Sequence, residues 1–478
     1  MAKRTGLDTN PGRQSIAKQK SPERELAELI ELLQALIRIP TVNPPGGEIK
    51  AARYLEQVLV DAGLKPEVVE PYRGRGSIVC RIRGDGSGGD PLLLLSHLDV
   101  VPAPPEGWTH DPFGAEIERG YIWGRGALDM KSMVAMEVQV MRLLAATARA
   151  AGRDPAADPI PGLRRDIIFC ATADEEAGGW KGANWIVNEH PDWLQAAGAL
   201  NEAGGIAVSY AGTRFYPIQV AEKGFVVYKL TVRGRWGHGS VPTEENAAVL
   251  AAQIVTRLAE PGPPRLTETI WALLGRAMPR LSAGAQAAVM GLTSSSPERV
   301  EATLRELCDP ILARQASAVI HDTISTGILS AGLKYNVIPG TAEIELDCRT
   351  LPGTDEPAMR DQLRQRMGED LWSHVDVQCQ QIGPAVQAPM EGPLYGILEA
   401  TLRHHDPDGV PLPMLAPYAT DAKHLARIGV PTYGFSPLKL SPEDGLLQLM
   451  HGDDERVSVE ALRFGLPVLW EAVIRFCG

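Results

Sequence analysis

Five short stretches of this 478-residue chain carry side chains whose types and spacing could do chemistry. In SHLDVVP, His97 and Asp99 stand two apart on a chain leaving an apolar run, so both can point to one side. A carboxylate placed there takes the hydrogen bond of the imidazole nitrogen that is not on a metal, which fixes the tautomer and raises ligand basicity. Asp129, in WGRGALDMKS, follows two glycines and precedes a helical pattern, a place where a carboxylate also caps a helix. Glu175 and Glu176, in ATADEEAGG, are neighbours at the end of an apolar strand, beside glycines that allow a sharp turn. Side chains diverging from consecutive positions can divide two tasks, one binding a cation and one handling a proton. Glu202 in NEAGG and His451 in LMHGDDE complete the set. Taken singly, each has a plain reading: a satisfied loop histidine, a cap, a solvated pair of glutamates, surface groups.

The elements that must position these residues are legible as alternating strands and helices. Ser21 followed by Pro22 reads as an N-cap with proline at the first helical position, and Leu26, Leu29, Ile30, Leu33 and Ile37 recur at helical spacing until Pro40. A second helix is expected from about Glu48 to Ala62, PLLLLSHLDV as a buried strand, and a helix from Ser132 to about Ala148. RDIIFCATADEE repeats the pattern of an apolar strand running into acids. In an α/β sheet, ligands sit beyond the carboxyl ends of the strands, where these acids fall. From Phe225 the texture changes. FVVYKLTVRG, EENAAVLAAQIVTRLA, TGILSAGL, TAEIELDCRT, a helix near Glu356 to Met367 and HVDVQCQQI follow as strand, helix, strand, strand, helix, strand, the split βαβ arrangement of a small inserted domain. A Pro-rich, poorly patterned stretch from about Glu260 to His321 interrupts it. The expected organisation is a tail over 1–20, a catalytic domain over 21–223 and 385–478, and an inserted domain over 224–384.

Composition narrows the classes. Hydrophobic residues make up 44% of the chain and the net charge is −12, so cores are affordable and neither nucleic acid nor acidic lipid is an expected partner. No apolar run approaches the ~20 residues that span a bilayer. The N-terminal stretch lacks the apolar segment of a secretory signal, and the six cysteines form no C-x-x-C pair, which suggests a cytoplasmic protein with buried free thiols. P-loop and G-x-S-x-G patterns are missing, which removes two enzyme classes.

Taken in order, H-x-D after an apolar strand, D after W-G-R-G, E-E-A-G-G, N-E-x-G-G and a late histidine resemble the di-zinc metallopeptidase family of acetylornithine deacetylase, succinyl-diaminopimelate desuccinylase, aminoacylase, glutamate carboxypeptidase and the carnosine-type dipeptidases. The resemblance runs from about Glu23 to the C-terminus. It implies an α/β catalytic domain, with a central mixed sheet flanked by helices, plus an inserted α+β lid that also forms a homodimer. It implies two Zn2+ per subunit, replaceable by Co2+ or Mn2+, with Asp129 bridging, His97 and Glu202 on one ion, and Glu176 and His451 on the other. It makes Asp99 the group that orients His97 and Glu175 the general base. Three ligand carboxylates and one hydroxide neutralise two dications, whereas without metal the acids repel and some must take up protons.

The same resemblance assigns His238, in WGHGSVP, a reach into the neighbouring subunit's site. Arg349 in ELDCRTLPG and Asn336 in YNVIPG become substrate-binding residues, and a planar guanidinium suits bidentate capture of a carboxylate. The plain readings are a loop histidine for His238 and a surface salt bridge for Arg349. The implied activity is hydrolysis of an N-acyl amino acid or of a peptide with a free C-terminal carboxylate. A dipeptidase or a desuccinylase-type deacylase is the alternative. A non-catalytic relative predicts a lost ligand or base, and none of those positions is missing. YATDAKHL, around Asp421, departs from the family's more glycine-rich turn and leaves substrate choice open. Trp180 is a candidate pocket wall or a packing residue, and His110, His190, His321, His374, His404, His405 and His424 are read as structural.

Overall fold

The computed structural model describes residues 21–294, 296–441, 444 and 446–478, so the expected tail lies outside the described residues. The first half of the chain runs α1 (Pro22–Ile37), α2 (Ile49–Asp61), β1 (Glu67–Tyr72), β2 (Arg75–Ile82), β3 (Leu92–His97), α3 (Lys131–Ala150), β4 (Ile167–Thr172), β5 (Gly198–Asn201) and β6 (Thr213–Glu222). There follow β7 (Gly224–Arg233), α4 (Ala247–Ala259), α5 (Glu268–Ala277), α6 (Ala283–Val289), α7 (Pro297–Leu307), α8 (Pro310–Ala318), β8 (Thr323–Ala331) and β9 (Thr341–Thr350). The last are α9 (Glu356–Met367), β10 (Val375–Gly383), α10 (Pro393–His405), β11 (Thr432–Gly434) and α11 (Val459–Cys477), with shorter pieces between.

Two compact units divide this chain. One comprises the chain up to Val220 with Ala388–Leu412 and Thr420–Gly478, and the other comprises Ala221–Gln387 with Pro413–Ala419. Pro413–Ala419 joins the second unit because Ala416 accepts the Lys223 amide at 3.0 Å and Leu415 packs with Ile270, Leu304 and Ile320.

The first unit is built on a mixed sheet in the order β1-β2-β4-β3-β5-β11-β6. β3 lies parallel to both β4 and β5, and β5 is parallel to β11. Four leucines explain the position of β3. Leu92 and Leu94 face one core with α1, α3 and α11, while Leu93 and Leu95 face a second core with Ile186 and Val187, so the strand is buried on both sides. Each buried leucine contributes about 1.5–3 kcal/mol relative to exposure. Their joint effect is to hold His97, at the carboxyl end, level with Thr172 of β4. α1 starts where the sequence indicates, with the Ser21 hydroxyl accepting the Arg24 amide.

The second unit is an antiparallel sheet in the order β8-β9-β7-β10, with α4 and α9 packed against it. On β7, Val226, Tyr228, Leu230 and Val232 alternate into that core. The segment read as poorly patterned is helical: α5 to α8 occupy it and share their own apolar cluster around Ile270, Val300, Leu304 and Ala313. Its prolines mislead because Pro297 and Pro310 stand at first helical positions, behind the N-caps Ser296 and Asp309. Among the described residues all six cysteines are free, but Cys308 and Cys379 are only partly buried. No helix among the described residues is long and apolar enough to cross a membrane.

One buried ion pair ties the C-terminal segment to the loop before α3. Arg125 Nη1 donates to Glu455 Oε2 at 2.6 Å, and the same carboxylate accepts the amides of Gly126, Leu128 and Asp129 at 3.0, 2.7 and 3.0 Å. Glu455→Ala leaves the guanidinium buried without its carboxylate, a loss of roughly 3–5 kcal/mol. Urea unfolding of the variant is expected to show a lowered midpoint, and an unchanged midpoint would remove this role from the pair.

Candidate active site

The carboxyl ends of three parallel strands converge. β3 ends at His97, the chain leaving β4 reaches Glu175 and Glu176, and the chain leaving β5 reaches Glu202. Asp129 enters from the loop held by Glu455, and His451 from the segment before α11. His97, Asp129 and Glu176 each offer a ligand atom within 4.8 Å of the others, and so do His97, Glu175 and Glu202.

The two oxygens of Asp129 divide the group into halves. Oδ1 lies 3.1 Å from His97 Nε2, which is also 3.4 Å from Glu202 Oε2. Oδ2 lies 3.2 Å from His451 Nε2, which is 3.2 Å from Glu176 Oε2. One carboxylate between two imidazole-and-glutamate pairs is an arrangement that could hold two divalent cations, each pair supplying nitrogen and oxygen. Glu176 Oε1 is buried with no hydrogen-bond partner among the described residues, an acceptor left for a cation. The capping alternative for Asp129 is not realised: α3 has no side-chain cap, and its N-cap residue is Met130.

Electrostatics follow from crowding. Burial raises Glu175 well above the usual carboxylate range, and neighbouring Glu202 adds to the effect. Burial pushes Glu202 up to about 7 and also raises Glu176. Asp129 is lowered despite its burial, through hydrogen bonds with His451 and His97, and its carboxylate raises His451 to about 10. Burial opposes a charge on His97, but Glu202, Asp129 and Asp99 outweigh it and raise its pKa.

Asp99 does more than the sequence suggests. His97 Nδ1 is 3.0 Å from the Asp99 carbonyl and 3.5 Å from its carboxylate, so the backbone oxygen is the nearer partner. The carboxylate itself accepts two consecutive amides, Glu175 on Oδ1 and Glu176 on Oδ2, both at 3.1 Å. Three non-glycine residues at the site hold left-handed backbone: Asp174 (φ 70°), Ala203 (φ 77°) and His451 (φ 60°). Such conformations cost on the order of 1–3 kcal/mol each and persist only where the surroundings impose them.

The glutamate loop is also braced from the opposite side. Asp421 Oδ2 accepts the Thr172 hydroxyl at 2.8 Å, and His424 Nε2 is 2.9 Å from the Gly178 carbonyl. A Cβ on Gly179 would sit 2.2 Å from Asp421 Oδ1, so only glycine fits there. Trp180 is partly exposed and meets the His424 ring edge-on at 5.4 Å. Sequence reading left His424 without a role and missed Asn43, Glu48, Arg75 and Glu455. The available signals were the dense TVNPPGGE stretch and a glutamate four residues after His451.

The remaining candidates lie in the second unit. His238 and Val337 pair across a two-residue ribbon, which sets His238 beside Asn336, whose backbone oxygen accepts the Gly239 amide at 2.9 Å. His238 is exposed, with Nδ1 2.7 Å from Ser240 Oγ, and Asn336 Oδ1 has no hydrogen-bond partner among the described residues. Arg349 presents Nε and Nη2 to Asp347 at 2.8 and 3.0 Å, so its fork is held by a neighbour two residues away on β9. Elsewhere His404, His405 and Glu471 form a further three-group cluster, in which Glu471 also pairs with Arg475 and links α10 to α11.

A donor set of this kind, buried except at His451 and with a spare carboxylate beside it, is that of a metal-dependent hydrolase. The family model Peptidase family M20/M25/M40 matches residues 93–475, and the chain belongs to that family. It is 28% identical over 462 residues to N-fatty-acyl-amino acid synthase/hydrolase PM20D1 of Xenopus tropicalis, covering 92% of this chain and 84% of that relative. Over 463 residues it is 29% identical to aminoacylase-1 of Homo sapiens, covering 94% and 95%. Its fold is similar to that of the M20 family metallo-carboxypeptidase Sso-CP2 from Sulfolobus solfataricus, with TM-score 0.66 and 16% identity, over 95% of this chain and 99% of that one.

The shifted groups set how metal enters. With Glu202 raised to about 7 and His451 to about 10, protons occupy the site below those values and must leave when a cation binds. Metal affinity is therefore expected to fall as pH drops from 8 to 6, with proton release visible by calorimetry in buffers of different ionisation enthalpy. Stripping with chelator should lower the melting temperature, and restoring metal at 100 times its dissociation constant should return about 2.7 kcal/mol. PH-independent affinity with no proton release would contradict this electrostatic picture.

Proposed function

We propose that this protein hydrolyses the amide bond of an N-acyl amino acid bearing a free carboxylate, using two zinc ions that cobalt or manganese can replace. The observation that carries the reading is Asp129 divided between two imidazole-and-glutamate pairs, with Glu175 beside them. Asp129 would bridge the ions, His97 and Glu202 would hold one, and Glu176 and His451 the other. Bound, the pair lowers the pKa of water and polarises the carbonyl.

Glu175 then does the proton work. It takes a proton from the attacking water while the water oxygen bonds to the carbonyl carbon, and gives that proton to the nitrogen as the C–N bond breaks. The products are a carboxylic acid and an amine, and the acid's remaining proton passes to the amine to leave a carboxylate and an ammonium ion. A carboxyl whose affinity for protons is raised by burial suits a group that must hold a proton between the two steps. Arg349 would receive the substrate carboxylate by exchanging it for Asp347, with Asn336 facing the substrate. The names of the acyl-amino-acid hydrolase and aminoacylase relatives support this substrate class.

The active form would be a homodimer in which His238 serves the neighbouring subunit. Support comes from β8, an edge strand whose residues from Ser325 to Ala331 are all exposed, Ile328 and Leu329 among them. An exposed apolar edge of that length is a template for pairing.

With N-acyl amino acids, dipeptides and N-acyl amines as substrates, Glu175→Gln should keep both metal equivalents and lose about 10²–10⁴ in kcat. Arg349→Ala should raise KM for substrates with a free carboxylate by the equivalent of about 1.5–3 kcal/mol and spare the N-acyl amines. Full turnover by the first variant, or equal loss on all substrates by the second, would sink the assigned roles. Preference for dipeptides would favour the dipeptidase alternative. Ile328→Lys should shift sedimentation from dimer to monomer and depress kcat together, whereas a fully active wild-type monomer would contradict the role of His238.

A further inference from the structure

Behind the glutamate loop lies a buried polar chain whose side chains lie outside the ligand-atom clusters described above. Asp99 Oδ2, besides the Glu176 amide, accepts Asn43 Nδ2 at 2.8 Å. Asn43 Oδ1 accepts Arg75 Nη2 at 2.7 Å, and Arg75 Nη1 donates to Glu48 Oε1 at 2.6 Å. Glu48 Oε2 accepts the Gly47 amide at 2.8 Å, and its Oε1 accepts the Asp174 amide at 3.3 Å. Asn43, Glu48, Arg75, Asp99 and Asp174 are all buried.

The direction of this chain is fixed by chemistry. A carboxamide can face either way, but a guanidinium only donates, so Arg75 compels Asn43 to turn its oxygen inward. The Asn43 amide group must then face Asp99 and, at 3.4 Å, Asp174. A flipped Asn43 would oppose its carbonyl to two carboxylates and its amide hydrogens to Arg75. With Asn43 locked, the Asp99 carboxylate cannot rotate, and its oxygens hold the amides of Glu175 and Glu176 in one register. The turn is gripped from behind as well: Asp174 keeps left-handed backbone while its side chain accepts the Lys181 amide at 3.0 Å. Gly46 leaves room for the arrangement, since a Cβ there would lie 2.5 Å from the Arg75 guanidinium carbon. A buried ion pair of this type is a weak stabiliser compared with apolar packing of equal volume; what it supplies is orientation.

We propose that Asn43 and Arg75 are positioning residues that aim the base Glu175 and the ligand Glu176 together through Asp99. This rests on the roles given above to those two glutamates. The test loads wild-type, Asn43→Ala and Arg75→Lys proteins with Co2+ and records cobalt affinity, the visible cobalt spectrum and, separately, kcat and KM. Arg75→Lys keeps the charge but replaces the rigid fork, so it frees Asn43 with little loss of volume. Both variants are expected to remain folded by circular dichroism, to change the cobalt spectrum, to lose about 10–100-fold in cobalt affinity or kcat, and to keep KM. Variants that only melt earlier, with the wild-type spectrum and kcat, would reduce the chain to a structural role and overturn the proposal, as would failure of both to fold. The spectrum needs no substrate, so a wild-type protein that hydrolyses nothing would sink the proposed function while leaving this test intact.

Discussion

The arrangement of this site is governed by the repulsion among its own acids. Asp99, Asp129, Glu175, Glu176 and Glu202 gather around two imidazoles, and all but the half-buried Glu175 and Glu176 are classed with the buried residues. Two like charges about 4 Å apart oppose each other by roughly 4 kcal/mol even at an effective dielectric of 20. The group cannot be assembled by mutual attraction. It is imposed by a scaffold made independently of it and relieved by protons or cations: burial, joined by that repulsion, shifts Glu175, Glu176 and Glu202 upward, while Asp129, hydrogen-bonded between two imidazoles, shifts down.

The scaffold acts in two layers. Apolar burial sets the strands: the leucines of β3 lock it between two cores, and its parallel neighbours carry the other acidic loops to the same end of the sheet. Polar contacts then set the loops. Glu455 gathers the amides of Gly126, Leu128 and Asp129 before α3, Asp99 gathers those of Glu175 and Glu176, and Asp421 and His424 close on the glycines that follow. In the first two cases a buried carboxylate is satisfied by backbone N–H groups, so charge needed for electrostatics also enforces geometry. Contacts of the same kind surround the left-handed Asp174, whose amide is held by Glu48 and whose side chain accepts the Lys181 amide.

Local patterns carried much of this into the sequence. Apolar runs ending in acids marked the strands, Ser21-Pro22 marked the start of α1, and the spacing from Glu356 to Met367 marked α9, because burial on one or two faces leaves a periodic trace. The helices α5 to α8 left a weaker trace, since they are short and their prolines imitate loop signals. The chemistry-bearing residues were legible as types in a recurring order, and that order pointed to the family.

Other features belong to three dimensions alone. Which oxygen of Asp129 faces which histidine, the choice of the Asp99 carbonyl over its carboxylate as the nearer partner of His97, and the capture of Arg349 by Asp347 are distances between side chains, and a linear pattern carries no distances. Asn43, Arg75 and Glu48 illustrate the limit best: each is an ordinary polar residue in its own neighbourhood, and their meaning arises only when α2, β2 and the chain beyond β3 bury them against one another. The sequence by itself determined the strands, the strongly periodic helices and the inventory of acids and imidazoles, because those follow from the periodicity of burial and from residue chemistry. Only the tertiary structure decided how the acids are aimed, because aim depends on hydrogen bonds between segments far apart along the chain.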